Sequence, residues 1–165
     1  MKDVVITGIG IISPIGNNKA EFTQSLREGC TGKGPITRFE TGKFPFKEAY
    51  EVKNFNPHKF GVHIMDPFIQ YAVGATHEAL EDARLDLKDI DPYRIGLSVS
   101  SSKGGVSTID RFKDRFAKNP SAILGARIYS NSVPNFASQW IARRWKIRGP
   151  ARCYIAACAT GTVAM

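Results

Sequence analysis

Residues 151–165 constrain the fold more than any other stretch. They read Ala-Arg-Cys-Tyr-Ile-Ala-Ala-Cys-Ala-Thr-Gly-Thr-Val-Ala-Met. After the Gly149-Pro150 breaker, residues 152–157 form a short apolar run that suits a buried strand. Small residues then enclose Cys158, and a helix can open from Ala159. A cysteine on such a strand-to-helix turn has its thiol near unpaired amide N–H groups and the positive end of a helix dipole. Both favour a thiolate, and an N–H there can serve an oxyanion. The same pattern also suits a small buried hydrophobe in a tight turn.

The chain before this stretch alternates element types. Residues 4–8 are β-branched and predict a strand. Asn18, with Glu21 three residues on, predicts the N-cap of a helix running to Glu28, with Phe22 and Leu26 on its inner face. Residues 31–59 are rich in Gly, Pro and Lys and predict an irregular excursion with a short hairpin at 50–53. Asp66-Pro67 is an N-cap followed by proline at the first helical position. The helix should run to about Arg84, with a stripe of Phe68, Tyr71, Ala72, Ala75, Ala79 and Ala83. A strand is predicted over 95–99, followed by a polar loop over 100–105. Val106, Ile109, Phe112 and Phe116 lie at helical spacing and read as core. A further helix, with Pro134 in its first turn, carries Phe136, Trp140, Ile141 and Trp145. This order of strands and helices predicts a layered α/β fold.

Several functions are disfavoured. Gly8-x-Gly10-x-x-Ser13 matches a dinucleotide fingerprint only in part, and Pro14 and Gly16 prolong the turn where a helix should start. Lys103 precedes Gly104-Gly105, the wrong order for a phosphate loop. Cys30, Cys153 and Cys158 fit neither a disulfide framework nor a zinc spacing, and read as reduced thiols. No stretch is long enough to span a membrane, and the apolar residues 4–15 lack a signal-peptide cleavage site. The expectation is a cytoplasmic protein without metal or other cofactor. The net charge of +8 suits an acidic partner. No basic run is interleaved with aromatics as a nucleic-acid platform would be.

Ala157-Cys158-Ala159-Thr160-Gly161 resembles the nucleophile motif of the beta-ketoacyl-acyl carrier protein synthases, the condensing enzymes of fatty acid and polyketide synthesis. Other segments resemble that family in its own order: Val4-Val5-Ile6-Thr7-Gly8-Ile9-Gly10, Ser13-Pro14-Ile15-Gly16, Gly34-Pro35-Ile36-Thr37-Arg38-Phe39, Met65-Asp66, Glu78-Ala79-Leu80-Glu81-Asp82-Ala83, Gly104-Gly105, Pro134-Asn135 and Arg148-Gly149-Pro150. The set is most similar to the elongating, type II-like synthases. It implies a thiolase-like fold, here the N-terminal half: layered α/β with a central mixed sheet, incomplete at the C-terminus. Residues 1–165 would then end just after the nucleophile turn, and the half supplying two catalytic histidines and a lysine would lie beyond it.

The resemblance makes Cys158 the catalytic nucleophile. It implies acyl carrier protein as the partner, a homodimer when complete, and neither nucleic acid binding nor membrane insertion. None of His58, His63 and His77 matches a catalytic position. Lys103 stands where elongating synthases tend to place an aliphatic residue, and Arg127-Ile128 where they often place aromatics. Both bases are therefore candidate substrate-binding residues that would favour short or polar acyl groups. Phe60-Gly61-Val62-His63-Ile64 replaces the bases that often dock the carrier. Two alternatives stay open: a non-catalytic chain-length-factor-like or dimer partner of a ketosynthase, and an unrelated nucleotide-binding domain.

Overall fold

The computed structural model describes residues 3–121 and 125–165. The chain divides into two compact units, Met1–Asn56 with Gly74–Leu85, and Pro57–Val73 with Asp86–Met165.

In the first unit, helix α1 (Lys19–Arg27) begins as the sequence predicts. The Asn18 side chain accepts the Glu21 N–H at 2.8 Å, and the Glu21 carboxylate accepts the Asn17 N–H at 2.8 Å. Reciprocal capping of this kind satisfies amides that the first turn leaves unpaired. Phe22 is half-buried, whereas Leu26 is exposed. The hairpin expected at 50–53 is displaced. Strands β1 (Gly34–Pro35) and β2 (Glu48–Ala49) pair antiparallel, with Gly34 opposite Ala49. The Ile36 N–H extends the ladder to Lys47 O. The carbonyl of Lys53 is instead engaged by the Asn17 amide, which donates to it at 2.7 Å.

Among the described residues the strand predicted over residues 4–8 has no ladder partner. The chain here lies along the part of helix α2 (Pro67–Asp82) that belongs to this unit. The Ile9 N–H donates to Asp82 at 2.9 Å and the Ile11 N–H to Glu78 at 2.7 Å. Alternate amides of the segment thus meet carboxylates one helical turn apart. The glycines permit the approach: a Cβ on Gly10 would sit 1.9 Å from Ala75 O, and one on Gly8 2.2 Å from Ala79 O. The alanine stripe of α2 therefore serves an extended segment, and the Gly-x-Gly pair serves helix contact. Lys19 also pairs with Asp82. That hydrogen bond, followed by the one from Ile9, holds the Asp82 carboxyl below its usual range.

The second unit holds the buried apolar residues Phe60, Val62, Met65, Ile69, Val73, Ala137 and Ile141. Asp66 organises it. Its carboxylate caps the start of α2 at the Phe68 N–H (3.3 Å) and accepts the Thr108 N–H of helix α3 (Val106–Lys118) at 2.8 Å. Its own N–H donates to Asn131 Oδ1 at 2.9 Å, on helix α4 (Arg127–Ser132). Helix α3 has only Gly105 at its own N-cap, with no side-chain bond. One buried carboxylate therefore caps two helices. Helix α3 packs on α4, and α4 on helix α5 (Phe136–Arg144). Pro134 precedes α5 rather than lying in its first turn.

Strand β3 (Leu97–Ser98) pairs in parallel with β4 (Ala151–Arg152), and α5 packs against both. Both strands are shorter than predicted. Beyond Arg152 the partner chain turns into the 100–105 loop, and the Tyr154 N–H bonds to Ser100 Oγ instead of a carbonyl. The period predicted for α3 is correct, but its burial is not. Val106, Ile109 and Phe116 are exposed, and only Thr108 is buried on that helix. Among the described residues no chain segment covers this stripe, so its periodicity marks a face without placing it in a core. Among the described residues, no helix is long and apolar enough to cross a membrane.

Candidate functional site

Strand β4 delivers the chain to a 3-10 turn, Ala157–Ala159, and the short helix α6 (Thr160–Ala164) follows at once. Cys158 is the middle residue of the turn and is exposed. Ala157 takes φ 44°, in the left-handed region that costs a residue with a Cβ of the order of 1 kcal/mol or more. That reversal swings the chain from strand direction into helix and leaves the Cys158 side chain in the open.

Thr160 holds the strained turn, and the sequence reading gave it no role. It is buried, its Oγ1 accepts the Ala156 N–H at 2.9 Å, and it donates to Ala157 O at 2.8 Å. The signal was available: a threonine in the first turn after a tight reversal commonly bonds local backbone. The Ala159 N–H closes the turn on Ala156 O at 2.9 Å. Among the described residues the Cys158 N–H has no partner, so a donor stands unpaired beside the sulfur. Helix α6 is five residues long, too short for a full macrodipole. The free N–H is thus the larger part of what the turn offers an anion.

The other thiols are placed differently. Cys30 is exposed with its sulfur 4.0 Å from the Glu28 carboxylate, and Cys153 is half-buried just past β4. His58 and His63 stack on each other, ring centroids 4.2 Å apart, and His77 pairs with Glu81 at 3.3 Å. Among the described residues no cluster of His, Cys, Asp and Glu is placed to hold a metal.

Lys103 and Arg127 are both exposed. The loop carrying Lys103 is pinned to α4: the Gly105 N–H donates to Ser132 O at 2.9 Å, and a Cβ on Gly105 would sit 1.9 Å from Asn131 O. Lys103 therefore stands near the C-terminal end of α4. Arg127 begins that helix, roughly 8 Å away along its axis. The structure brings the two bases to the two ends of one short helix.

A chain of short strands and helices with an exposed thiol on a strained strand-to-helix turn fits the thiolase-like class, and its similarity to proteins of that class places it there. The family described as "Beta-ketoacyl synthase, N-terminal domain" matches residues 1–165, and this chain belongs to that family. The 3-oxoacyl-[acyl-carrier-protein] synthase 2 of Coxiella burnetii is 31% identical over 162 residues, which are 96% of this chain and 39% of the relative. The synthase of the same name from Staphylococcus aureus is 36% identical over 166 residues, 98% of this chain and 40% of the relative. The solved ishigamide ketosynthase/chain length factor superposes with TM-score 0.83 at 30% identity, covering 92% of this chain and 39% of that one. The chain thus spans about two fifths of the length of these relatives.

Proposed function

We propose that this chain is the nucleophile-bearing part of a beta-ketoacyl-acyl carrier protein synthase, and that Cys158 carries the acyl group. The observation that supports this most is the exposed sulfur beside an unpaired N–H on the Ala157 reversal. The Cys158 thiolate attacks the thioester carbonyl of an acyl carrier, and the Cys158 N–H steadies the oxyanion. The carbon–sulfur bond to the carrier then breaks, and the carrier sulfur leaves as a thiolate that takes up the proton Cys158 had released on ionising. A malonyl carrier loses carbon dioxide, and its enolate carbon attacks the acyl-cysteine. The new carbon–carbon bond replaces the bond to Cys158, which returns as a thiolate. The groups that stabilise the malonyl carbonyl and enolate lie outside this chain in this reading. The complete enzyme is a cytoplasmic homodimer served by an acidic acyl carrier protein. It is the charge of +8 that supports such a partner.

Limiting iodoacetamide with mass mapping tests the nucleophile. Cys158 is expected to label first, ahead of Cys153 and Cys30. Preferential labelling of Cys30 would contradict the assignment and favour the non-catalytic, chain-length-factor-like reading, in which Cys158 has no chemical role.

Lys103 and Arg127 set the acyl preference in this reading. A charge against an alkyl chain is costly unless hydrated or paired. The complete enzyme is therefore expected to load short or polar acyl groups onto Cys158 faster than palmitoyl-length ones. A chain-length profile of acyl-enzyme formation checks this, and a preference for long saturated chains would remove both bases from the pocket.

A further inference from the structure

We propose that a groove at the C-terminal end of α5 is a recognition site for a phosphate group borne by a small ligand. It is a space of about 440 Å³ lined by Tyr93, Ala142, Arg143, Lys146, Ile147 and Arg148. Three cations and a phenol line it, and no carboxylate does. Among the described residues, Arg143, Lys146 and Arg148 form no ion pair, and their side chains make no hydrogen bond.

The ordinary reason for bases at a helix end is the negative end of the helix dipole, about half a charge. Here the last carbonyls of α5 are already taken. Trp145 donates to Ile141 O, Lys146 to Arg143 O and Ile147 to Ala142 O. Three full charges exceed what the dipole needs. Lys146 also holds φ 55°, the left-handed position where a helix usually ends in glycine. The wall beyond is fixed, because the N–H groups of Arg148 and Gly149 both donate to Pro92 O at 3.0 Å.

The charge is concentrated in this part of the chain. The unit of Met1–Asn56 and Gly74–Leu85 carries as many acids as bases, so the whole +8 belongs to the other unit. Residues 115–165 contain no aspartate or glutamate at all. No acid within that stretch can fold back to neutralise the groove.

Phosphate suits these side chains better than carboxylate does. Two guanidinium forks can each grip a pair of oxygens on a tetrahedral dianion, while Lys146 adds a point charge and the Tyr93 hydroxyl a donor. A planar monoanion would leave at least one fork unused. The volume falls in the range of small-molecule sites, so a phosphomonoester or diphosphate fits with room for the group it is attached to. The groove lies at the start of β4, whereas Cys158 follows its end, so this site does not depend on the thiol chemistry.

Calorimetric titration of the full chain with inorganic pyrophosphate, at ionic strength held constant with chloride, tests the proposal. Saturable binding is expected, with affinity lowered roughly 10-fold or more by Arg148→Gln and by Arg143→Gln. Arg152→Gln, outside the groove, and Cys158→Ala should leave it unchanged. Arg148→Lys keeps the charge but loses the fork, so an intermediate affinity is expected and guards against a folding artefact in the glutamine variants. Vesicles of phosphatidic acid, set against phosphatidylcholine, form a second arm. Vesicle binding abolished by Arg148→Gln without pyrophosphate binding assigns the phosphate to a lipid headgroup and supports the site. Absence of binding in both arms, or equal loss in Arg148→Gln and Arg152→Gln, overturns it.

Discussion

Cys158→Ala is expected to abolish the acyl loading proposed for this chain. Incubation with an acyl carrier thioester, followed by intact-mass measurement, is expected to show one added acyl group on the parent and none on the variant. The loss should be on the order of 1,000-fold or more in loading rate, because in the proposed chemistry the Cys158 sulfur is the bond-forming atom. Condensation behaves differently. Carbon dioxide release from a malonyl carrier should be at background for the parent chain and the variant alike. In the proposed reading the two catalytic histidines and the lysine lie outside these residues, since none of His58, His63 and His77 stands at a matching position. Turnover by the parent above the Cys158→Ala control would show a complete site within these residues. Acyl loading that survives the substitution would remove Cys158 from the chemistry.

The second large effect concerns stability. Asp66→Ala should lower the unfolding free energy by about 2–3 kcal/mol, since it removes the cap of α2 and leaves the buried Thr108 amide of α3 with only the Gly105 carbonyl at 3.1 Å. Asp66→Asn keeps an acceptor and the side-chain shape, and should cost about 1–2 kcal/mol. Urea unfolding measures both, as a fall in midpoint with the slope unchanged. An Asp66→Ala chain as stable as the parent would mean that the two helices do not share this carboxylate in solution.

Asp66 also shows which features the sequence disclosed. Asp66-Pro67 and Asn18 with Glu21 mark helix starts through bonds that span a few residues, so the code for them is local. The start of α2 was legible to the residue, and its end at Asp82 falls two short of Arg84. The second duty of Asp66, capping α3 from 42 residues away, leaves no local trace. The same holds for residues 4–8. Their β-branched run specifies an extended chain but not its partner: Val4, Val5 and Ile6 are exposed, and the contact to a helix begins at Gly8, with the carboxylates accepting from Ile9 and Ile11 just beyond the run. The α3 stripe shows the converse: periodicity reports which face is apolar, while burial depends on what covers it. At the candidate site, the turn and the cysteine could be read from the small residues around them. The left-handed Ala157 and the Thr160 clasp needed coordinates, because nothing in an alanine signals that it will adopt a positive φ.

The hold of α2 on the N-terminal segment bears on the order of events during synthesis. The amide of Ile9 waits for a carboxylate 73 residues downstream. At about 5–20 residues per second, translation leaves that segment without its partner for roughly 4–15 s. A contact of such long range also closes slowly after both ends exist. Throughout that interval the Ile9 and Ile11 amides lack the carboxylates that accept them in the folded chain. Protection of these two amides from hydrogen exchange in stalled nascent chains should therefore appear only once Asp82 has emerged.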